Sequence, residues 1–387
     1  MAGRILIIAD GPAALSYAPE LITRLRQKKY TVQVAPTAYD GPSALAFVSE
    51  LAWATISGHP CKAIEKLDAE AFRQQDLILL APVSPQVLEV FRRGKALAYL
   101  QEAGKPVLAV PARLPDATDE DTALFQTQMP SRSRLCLGDS PLELGAMGAL
   151  KITPIETLLH FVDAALSKND LQGKSALITA GPTAEDLDPV RYLTNRSTGK
   201  MGVALAIAAA VRGAEVHLVH GPLQTTLPEL PNLHAISVRS AAQMHQAVVD
   251  HWHHLDFAIL AAAVADFTPD HYVPQKIKKI DGQSLILHLL RTPDILAELG
   301  SREDHPYLVG FAAESDDVEI NAINKLRKKR CDLICANDIR KPGCGFATDT
   351  NQITLYSPDE APVQLPLKDK AEVAHDILNH IAKHLAD

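Results

Sequence analysis

Short apolar runs separated by amphipathic stretches recur along nearly the whole chain, and this alternation constrains the fold more than any other feature. In the first part, "RILIIAD" is followed by "APELITRLRQKK", "YTVQVAP", a helical segment through Ala44 to Leu51, "DLILLAP", a second helical stretch and "PVLAVPA". Strand-length runs alternating with helix-length ones predict a parallel sheet with helices on both faces. Near Thr153 the pattern shifts: "TPIE" puts Thr153 at the N-cap, Pro154 at the first helical position and Glu156 at the third, predicting a helix to about Ser167. The polar "SKNDLQGKS" reads as a linker. A second alternation starts at "SALITAG" and continues through a helix from about Lys200 closed by Gly213, the strand "AEVHLVHGP", the helix "AAQMHQAVVDHW" and the strand "FAILAAAVAD". Further strands are expected at "YLVGFAA", "DLICAND", "QITLYS" and "VQLPL", with helices at Asp316 to Arg330 and Lys368 to Leu385. The expected fold class is α/β, two doubly wound Rossmann-like domains over residues 1–168 and 169–387.

A chain of 387 residues, 47 % hydrophobic, suits two domains with ample core. The net charge of -8 and pI near 6.0 argue against a general nucleic-acid binder, which needs a basic surface to displace counterions. Apolar stretches such as "FAILAAAVA" fall short of the roughly 20 residues of a membrane helix, so no membrane partner is expected. "MAGRILIIAD" reads as a first strand rather than a signal peptide, and a cytoplasmic location is expected. Cys61, Cys136, Cys331, Cys335 and Cys344 form no Cys-x-x-Cys pair and suit reduced thiols; Cys331 and Cys335 read as buried small residues rather than zinc ligands.

In doubly wound sheets ligands bind beyond the carboxyl ends of the strands, where the strand order reverses. In the second domain those ends carry Gly181-Pro182-Thr183, Gly221-Pro222 and Ala265-Asp266. Glycine lets a ligand approach the backbone, and the helix after Ser197-Thr198-Gly199 aims free N–H groups at an anion. Ser197 or Thr198 is equally an ordinary N-cap, which leaves the long preceding loop unexplained. A Walker loop is excluded because Met201 follows Gly199-Lys200, and the dinucleotide fingerprint is missing after the first strand. A nicotinamide oxidoreductase therefore rests on fold analogy alone. Asp266, followed by Lys276, Lys278 and Lys279, suits a magnesium-bound triphosphate, with a solvated basic loop as an equal reading. Lys325 and Lys329 share a helix face, and cations there also complement the helix dipole.

Together these stretches resemble the ligase domain of the bifunctional coenzyme A biosynthesis flavoproteins, in which a phosphopantothenoylcysteine decarboxylase precedes a phosphopantothenate-cysteine ligase. The match runs from about Gly173 to the C-terminus through "ITAGPT", "LDPVRYLTNRSTGKMG", "AAVADF", "KIKK", "TPDIL", "GFAAES" and "DLICAND". The resemblance implies activation of 4'-phosphopantothenate by CTP with Mg2+, giving an acyl-cytidylate whose CMP is displaced by cysteine. It implies that Asn195 holds the acyl-cytidylate, Arg191 orients the acid, and Lys276 serves the triphosphate as a catalytic cation. Asp266 would contact CTP, through the metal in one reading. Pro293, Asp294, Ile295 and Leu296 would form a nucleotide-contacting turn, with Thr292 as helix cap in a purely structural reading. Phe311 would lie beside cytosine, Lys325 and Lys329 would contact CTP, Ala262 would line the acid's site, and Gly181 would admit the nucleotide. The family further implies a homo-oligomer with a dimeric ligase domain.

The first domain resembles the flavodoxin-like decarboxylase less closely. The family's glycine-rich first loop reads "DGPAALSY" here, Asp68 stands where its histidine belongs, and the "PAMN" turn reads "PARL", with Arg113 and Leu114. In "RLCLGDSPLELGAMG" either Cys136 is the family's flap acid, or Leu142 takes that position and Cys136 is an earlier strand residue; the second alignment is favoured. Loss of decarboxylation is expected, and flavin mononucleotide (FMN) binding is not. A working bifunctional enzyme and a nucleotide-sensing scaffold without activity are the alternatives.

Overall fold

The computed structural model describes residues 3–9, 11–37, 48–83, 95–113, 133–137, 140–143, 149–278 and 284–386. The chain divides into two compact units, Met1–Ser167 and Lys168–Asp387. Among the described residues no helix is long and apolar enough to cross a membrane.

The first unit is built on β1 (Arg4–Ala9), β2 (Thr31–Pro36), β3 (Leu77–Val83), β4 (Val107–Pro111) and β5 (Ser133–Leu135), with α1 (Gly11–Gln27), α2 (Glu50–Ser57), α3 (Ala69–Arg73) and α4 (Ala96–Ala103) between them. The strands are parallel in the order β2-β1-β3-β4-β5, a doubly wound, flavodoxin-like arrangement. Every residue of β3 and β4 is buried, as a strand covered on both faces requires. Leu6, Ile8, Phe72, Ile78, Leu80 and Leu100 form one core layer. A hairpin of β6 (Ser140–Glu143) and β7 (Ala149–Ile152) leads into α5 (Ile155–Ala165). Thr153 does not cap α5; it is buried and its hydroxyl donates to the Cys136 carbonyl at 2.6 Å, so the cap position falls to Pro154. The segment from Ala44 to Phe47 lies outside the described residues, and the helix there is described from Glu50.

The second unit carries β8 (Ser175–Ala180), a hairpin of β9 (Ala184–Asp186) and β10 (Tyr192–Thr194), α6 (Lys200–Val211), β11 (Glu215–His220), β12 (Leu233–Ser237), α7 (Ala241–Asp250) and β13 (Phe257–Leu260). A second hairpin, β14 (Phe267–Pro269) with β15 (Leu289–Arg291), precedes α8 (Ile295–Gly300), β16 (Tyr307–Glu314), α9 (Val318–Lys329) and β17 (Leu333–Asp338). The chain closes with β18 (Thr350–Asn351), β19 (Thr354–Tyr356), β20 (Val363–Gln364), β21 (Lys368–Asp369) and α10 (Lys370–His384). The main sheet runs β12-β11-β8-β13-β16-β17-β19-β20, parallel up to β17 and antiparallel beyond it. Helix α6 is apolar nearly all round because it lies between the sheet and α10. A Cβ at Gly202 would stand 2.6 Å from the Ala180 Cβ, so only glycine allows α6 to seat against β8 this closely.

Candidate functional site

A cavity of about 910 Å³ opens at the carboxyl ends of β8, β13, β16 and β17, where Thr179, Leu260, Ala312 and Asn337 line it. The chain runs from β8 to β11 and β12 on one side of the sheet, then returns to β13 on the other. The cavity therefore sits at the topological switch point, the position where open α/β sheets hold ligands.

The residues expected as one strand, "FAILAAAVAD", leave the sheet at Leu260. The Ala263 N–H donates to the Gly181 carbonyl at 2.9 Å, the Ala262 N–H to the Thr179 hydroxyl at 3.1 Å and the Ala265 N–H to the Thr183 hydroxyl at 3.0 Å. Small side chains let the two strand extensions lie this close. The expected long loop is the β9–β10 hairpin, whose tip is organised by Asp188, only 2 % exposed. Its carboxylate accepts from the N–H groups of Val190, Arg191 and Ile277 at 2.7, 2.8 and 3.0 Å and pairs with the Arg191 guanidinium at 2.7 Å. Burial works to raise its pKa, and the backbone donors with Arg191 outweigh it, holding the carboxyl below the usual carboxylate value. Beyond the hairpin, the Asn195 amide nitrogen donates to the Ala263 and Val264 carbonyls at 3.0 and 3.1 Å. That double bond to one strand extension fixes the side chain, leaving Oδ1 as its free acceptor.

The first turn of α6, from Gly199 to Gly202, faces the cavity with N–H groups that lack an intrahelical partner. Gly199 has φ +82°, and a Cβ there would meet Leu223 Cδ2 at 2.3 Å, so the turn into the helix requires glycine. Ammonium groups complete the wall. Lys200 pairs with Asp349 at 2.6 Å. Lys325 donates to the Phe311 carbonyl at 2.6 Å, and burial holds its pKa below the usual lysine value. Lys329 pairs with Asp294, whose carboxylate also caps α8 through the Ala297 N–H at 3.1 Å. Lys370, 6 % exposed, donates to the Gly345, Phe346 and Thr348 carbonyls and fastens that turn, with its pKa lowered by burial and then by Lys200. Phe346 in turn accepts from the Thr198 hydroxyl at 2.9 Å. Asp266 is exposed on the cavity wall. Asp266 and Asp294 are the carboxylates in the cavity lining, Asp294 being paired with Lys329, and one or two carboxylates are the protein's usual share of the oxygens around Mg2+.

The structure thus brings Asn195, Ala262, Asp266, Pro293, Asp294, Ile295, Leu296, Phe311, Lys325 and Lys329 to one cavity. Arg191, Lys276 and Gly181 do not line it. Gly181, with φ +76°, turns the chain directly behind Gly199. Arg191 donates to the Ile277 carbonyl at 3.1 Å, which places it beside the exposed Lys276 on a separate arm. Thr292 is not the helix cap; its hydroxyl donates to the Ala265 carbonyl at 2.6 Å, and Asp294 caps instead. Lys370, Arg291 and Phe346 also line the cavity and were not anticipated from sequence.

In the first unit Asp68 is the N-cap of α3, accepting from the Ala71 N–H at 3.0 Å. Cys136 follows β5, is fully buried, and burial pushes its thiol up to about 12. Leu142 pairs with Leu150 in the β6–β7 hairpin, and Arg113 bridges to Lys151. Asp10, Leu114, Lys279 and the flap from 144 to 148 lie outside the described residues.

Residues 171–385 match the family model of the DNA/pantothenate metabolism flavoprotein C-terminal domain. The chain is 36 % identical to the Coenzyme A biosynthesis bifunctional protein CoaBC of Bacillus subtilis (strain 168), over 98 % of this chain and 96 % of that protein. It is 37 % identical to a Cysteine/Cysteine sulfinic acid decarboxylase from an unknown prokaryotic organism, over 86 % of this chain and 98 % of that protein. A crystal structure of the C-terminal domain of a CoaBC is 42 % identical, covering 57 % of this chain and 100 % of that one at a TM-score of 0.49. A family model spanning more than half the chain and a full-length relative agree, and the chain belongs to the family of DNA/pantothenate metabolism flavoproteins that includes the coenzyme A biosynthesis bifunctional proteins.

Proposed function

We propose that the second unit is a CTP-dependent ligase that joins 4'-phosphopantothenate to cysteine, and that the first unit has lost decarboxylation. The observation that carries this reading is the convergence of Asn195, Asp266, Asp294, Phe311, Lys325 and Lys329 on one switch-point cavity walled by a helix N-terminus. A carboxylate has a poor leaving group. Attack of its oxygen on the α-phosphorus of CTP expels pyrophosphate and leaves an acyl-cytidylate; the cysteine amine then attacks the acyl carbon, loses a proton and expels CMP. The α6 amides and the lysines offset the phosphate charge, Asn195 Oδ1 accepts from a hydroxyl or amide N–H of the acid, and Phe311 packs against the base. Asp266 would hold Mg2+ together with the phosphates, and the ion would supply Lewis-acid neutralisation of their charge. Pyrophosphate released on mixing CTP, Mg2+ and 4'-phosphopantothenate, with product formed only after cysteine is added, is the expected result. Pyrophosphate release absent under those conditions overturns the reading.

Lys325 gives the site a pH signature. Its ammonium pKa is lowered from 10.5 by burial, and a bound polyanion stabilises the charged form. Free protein loses that proton first as pH rises, so CTP affinity falls at a pH below the ordinary lysine range. Titration calorimetry across pH checks this, and Lys325→Gln should bind more weakly and show a flatter profile.

The arms outside the cavity support a homodimeric ligase unit. Val190, Tyr192, Phe267, Leu289 and Leu290 are exposed on the β9–β10 and β14–β15 hairpins, apolar side chains that a second copy of this unit would cover. Arg191 and Lys276 ride on these arms and serve the partner's cavity. Mixing the impaired Asn195→Asp and Lys276→Gln proteins should therefore raise ligation above that of either alone; no gain after subunit exchange places Lys276 in its own chain's reaction.

In the first unit, Asp68 spends its carboxylate on a helix cap and Cys136 is buried, so neither is placed as a proton-transfer group. A match over 98 % of this chain and 96 % of the Bacillus protein favours a second reading in which both activities persist. Bound yellow flavin and carbon dioxide release from phosphopantothenoylcysteine would establish it.

A further inference from the structure

Among the described residues one group of His, Cys, Asp or Glu has three ligand atoms gathered within 4.8 Å of one another: Glu360, His380 and His384. The histidines stand one turn apart on α10, so both rings leave the same face. Glu360 lies in the loop between β19 and β20 and faces both, its oxygens 4.0 Å from His380 Nε2 and 3.8 Å from His384 Nε2. Ser357 Oγ is 3.0 Å from His380 Nε2. The Tyr307 ring stacks on His384 with centroids 5.4 Å apart and planes 19° off parallel, which fixes that imidazole's orientation.

We propose that Glu360, His380 and His384 form a site for a zinc-class divalent transition metal, with Ser357 Oγ or water as the fourth ligand. Tetrahedral ligands about 2.0–2.1 Å from zinc lie about 3.3–3.4 Å apart, so small side-chain rotations bring the carboxylate to both rings. Two imidazoles and one carboxylate select zinc-class ions over Mg2+ and Ca2+, which prefer all-oxygen sites. The site is separate from the cavity. Tyr307 opens β16 and Ala313 lines the cavity near its other end, about 20 Å along a strand rising ~3.3 Å per residue. The metal would pin the β19–β20 loop to the end of α10 opposite Lys370, giving it a structural rather than catalytic role.

Chelator-treated full-length protein should bind Zn2+ from zinc chloride with one more equivalent than His384→Ala or Glu360→Gln, unaffected by millimolar Mg2+. Its Tm should rise by several degrees with Zn2+, and the two variants should lose most of that rise. Circular dichroism of the metal-free variants checks that they fold. A second histidine group, His217 with His234 and His251, has ring centroids 5.5 and 5.2 Å from His217 and is the internal competitor. Equal stoichiometry and Tm response in wild type and both variants overturns the proposal, as does binding abolished by His234→Ala but retained by His384→Ala.

Discussion

Asn195→Asp protein should release pyrophosphate from CTP when 4'-phosphopantothenate is added, yet pass the acyl group to cysteine about 10²-fold more slowly or worse, so that acyl-cytidylate accumulates. The wild-type amide donates twice, to the Ala263 and Val264 carbonyls, and thereby presents Oδ1 in one orientation. A carboxylate has no proton to donate there. Two acceptors would face an anion, and the side chain must swing away, losing interactions of about 1–3 kcal/mol each. Two such losses felt mainly at the second transition state correspond to roughly 10²-fold or more in rate. Rapid-quench measurement of pyrophosphate and product separates the half-reactions. Equal slowing of both assigns Asn195 to holding the β9–β10 hairpin against the β13 extension, and undiminished turnover removes it from the mechanism.

Gly221→Ala, like Gly300→Ala, should be one of the two most damaging single-methyl changes at the glycines of the second unit. An added Cβ would stand 1.7 Å from the Pro182 carbonyl oxygen and 2.8 Å from its carbon, both backbone atoms that cannot rotate aside. Pro182 is bridged to Ala263, so relieving the overlap pries apart the strand extensions that seat Asn195. The cost should be about 3 kcal/mol or more, a Tm decrease of roughly 10 °C for a unit of this size. Gly345→Ala is the control, because its added methyl would meet only Thr348 Cγ2 at 3.9 Å. Thermal unfolding of the two variants within a degree of each other would show that the ends of β8 and β11 yield easily.

The central strands of the parallel sheets, such as β1, β3, β4 and β8, are legible in the sequence because they are buried on both faces and read as unbroken apolar runs, and α6 because its cap glycine and apolar positions agree; the edge strand β12, half-exposed as LHAIS, is not. Nor is the β9–β10 hairpin. Its strands are three residues each, of mixed polarity, and their tip depends on Asp188 gathering N–H groups from its own turn and from Ile277, far along the chain. The end of β13 is hidden for a related reason: the apolar run continues unbroken from Leu260 through Ala265, and the bonds to Gly181 and Thr183 that mark the departure from the sheet come from a distant segment. Caps assigned to Thr153 and Thr292 went to neighbours because each hydroxyl found a carbonyl remote in sequence. The cavity's strand-end residues were foreseeable from topology. Lys276 and Arg191 follow a hairpin arm whose direction local spacing does not encode, and Lys370 enters the cavity wall through contacts with a turn far from the motifs.

That last contact has a consequence for how the protein comes into being. The turn from Gly345 to Thr348 is fastened to α10 by the Lys370 ammonium, and the same turn meets α6 through Thr198. A chain still emerging from the ribosome can pair β8 with β11 and β13 early, but its cavity stays open on one side until α10 has been made. Ligand capture must therefore await the synthesis of α10.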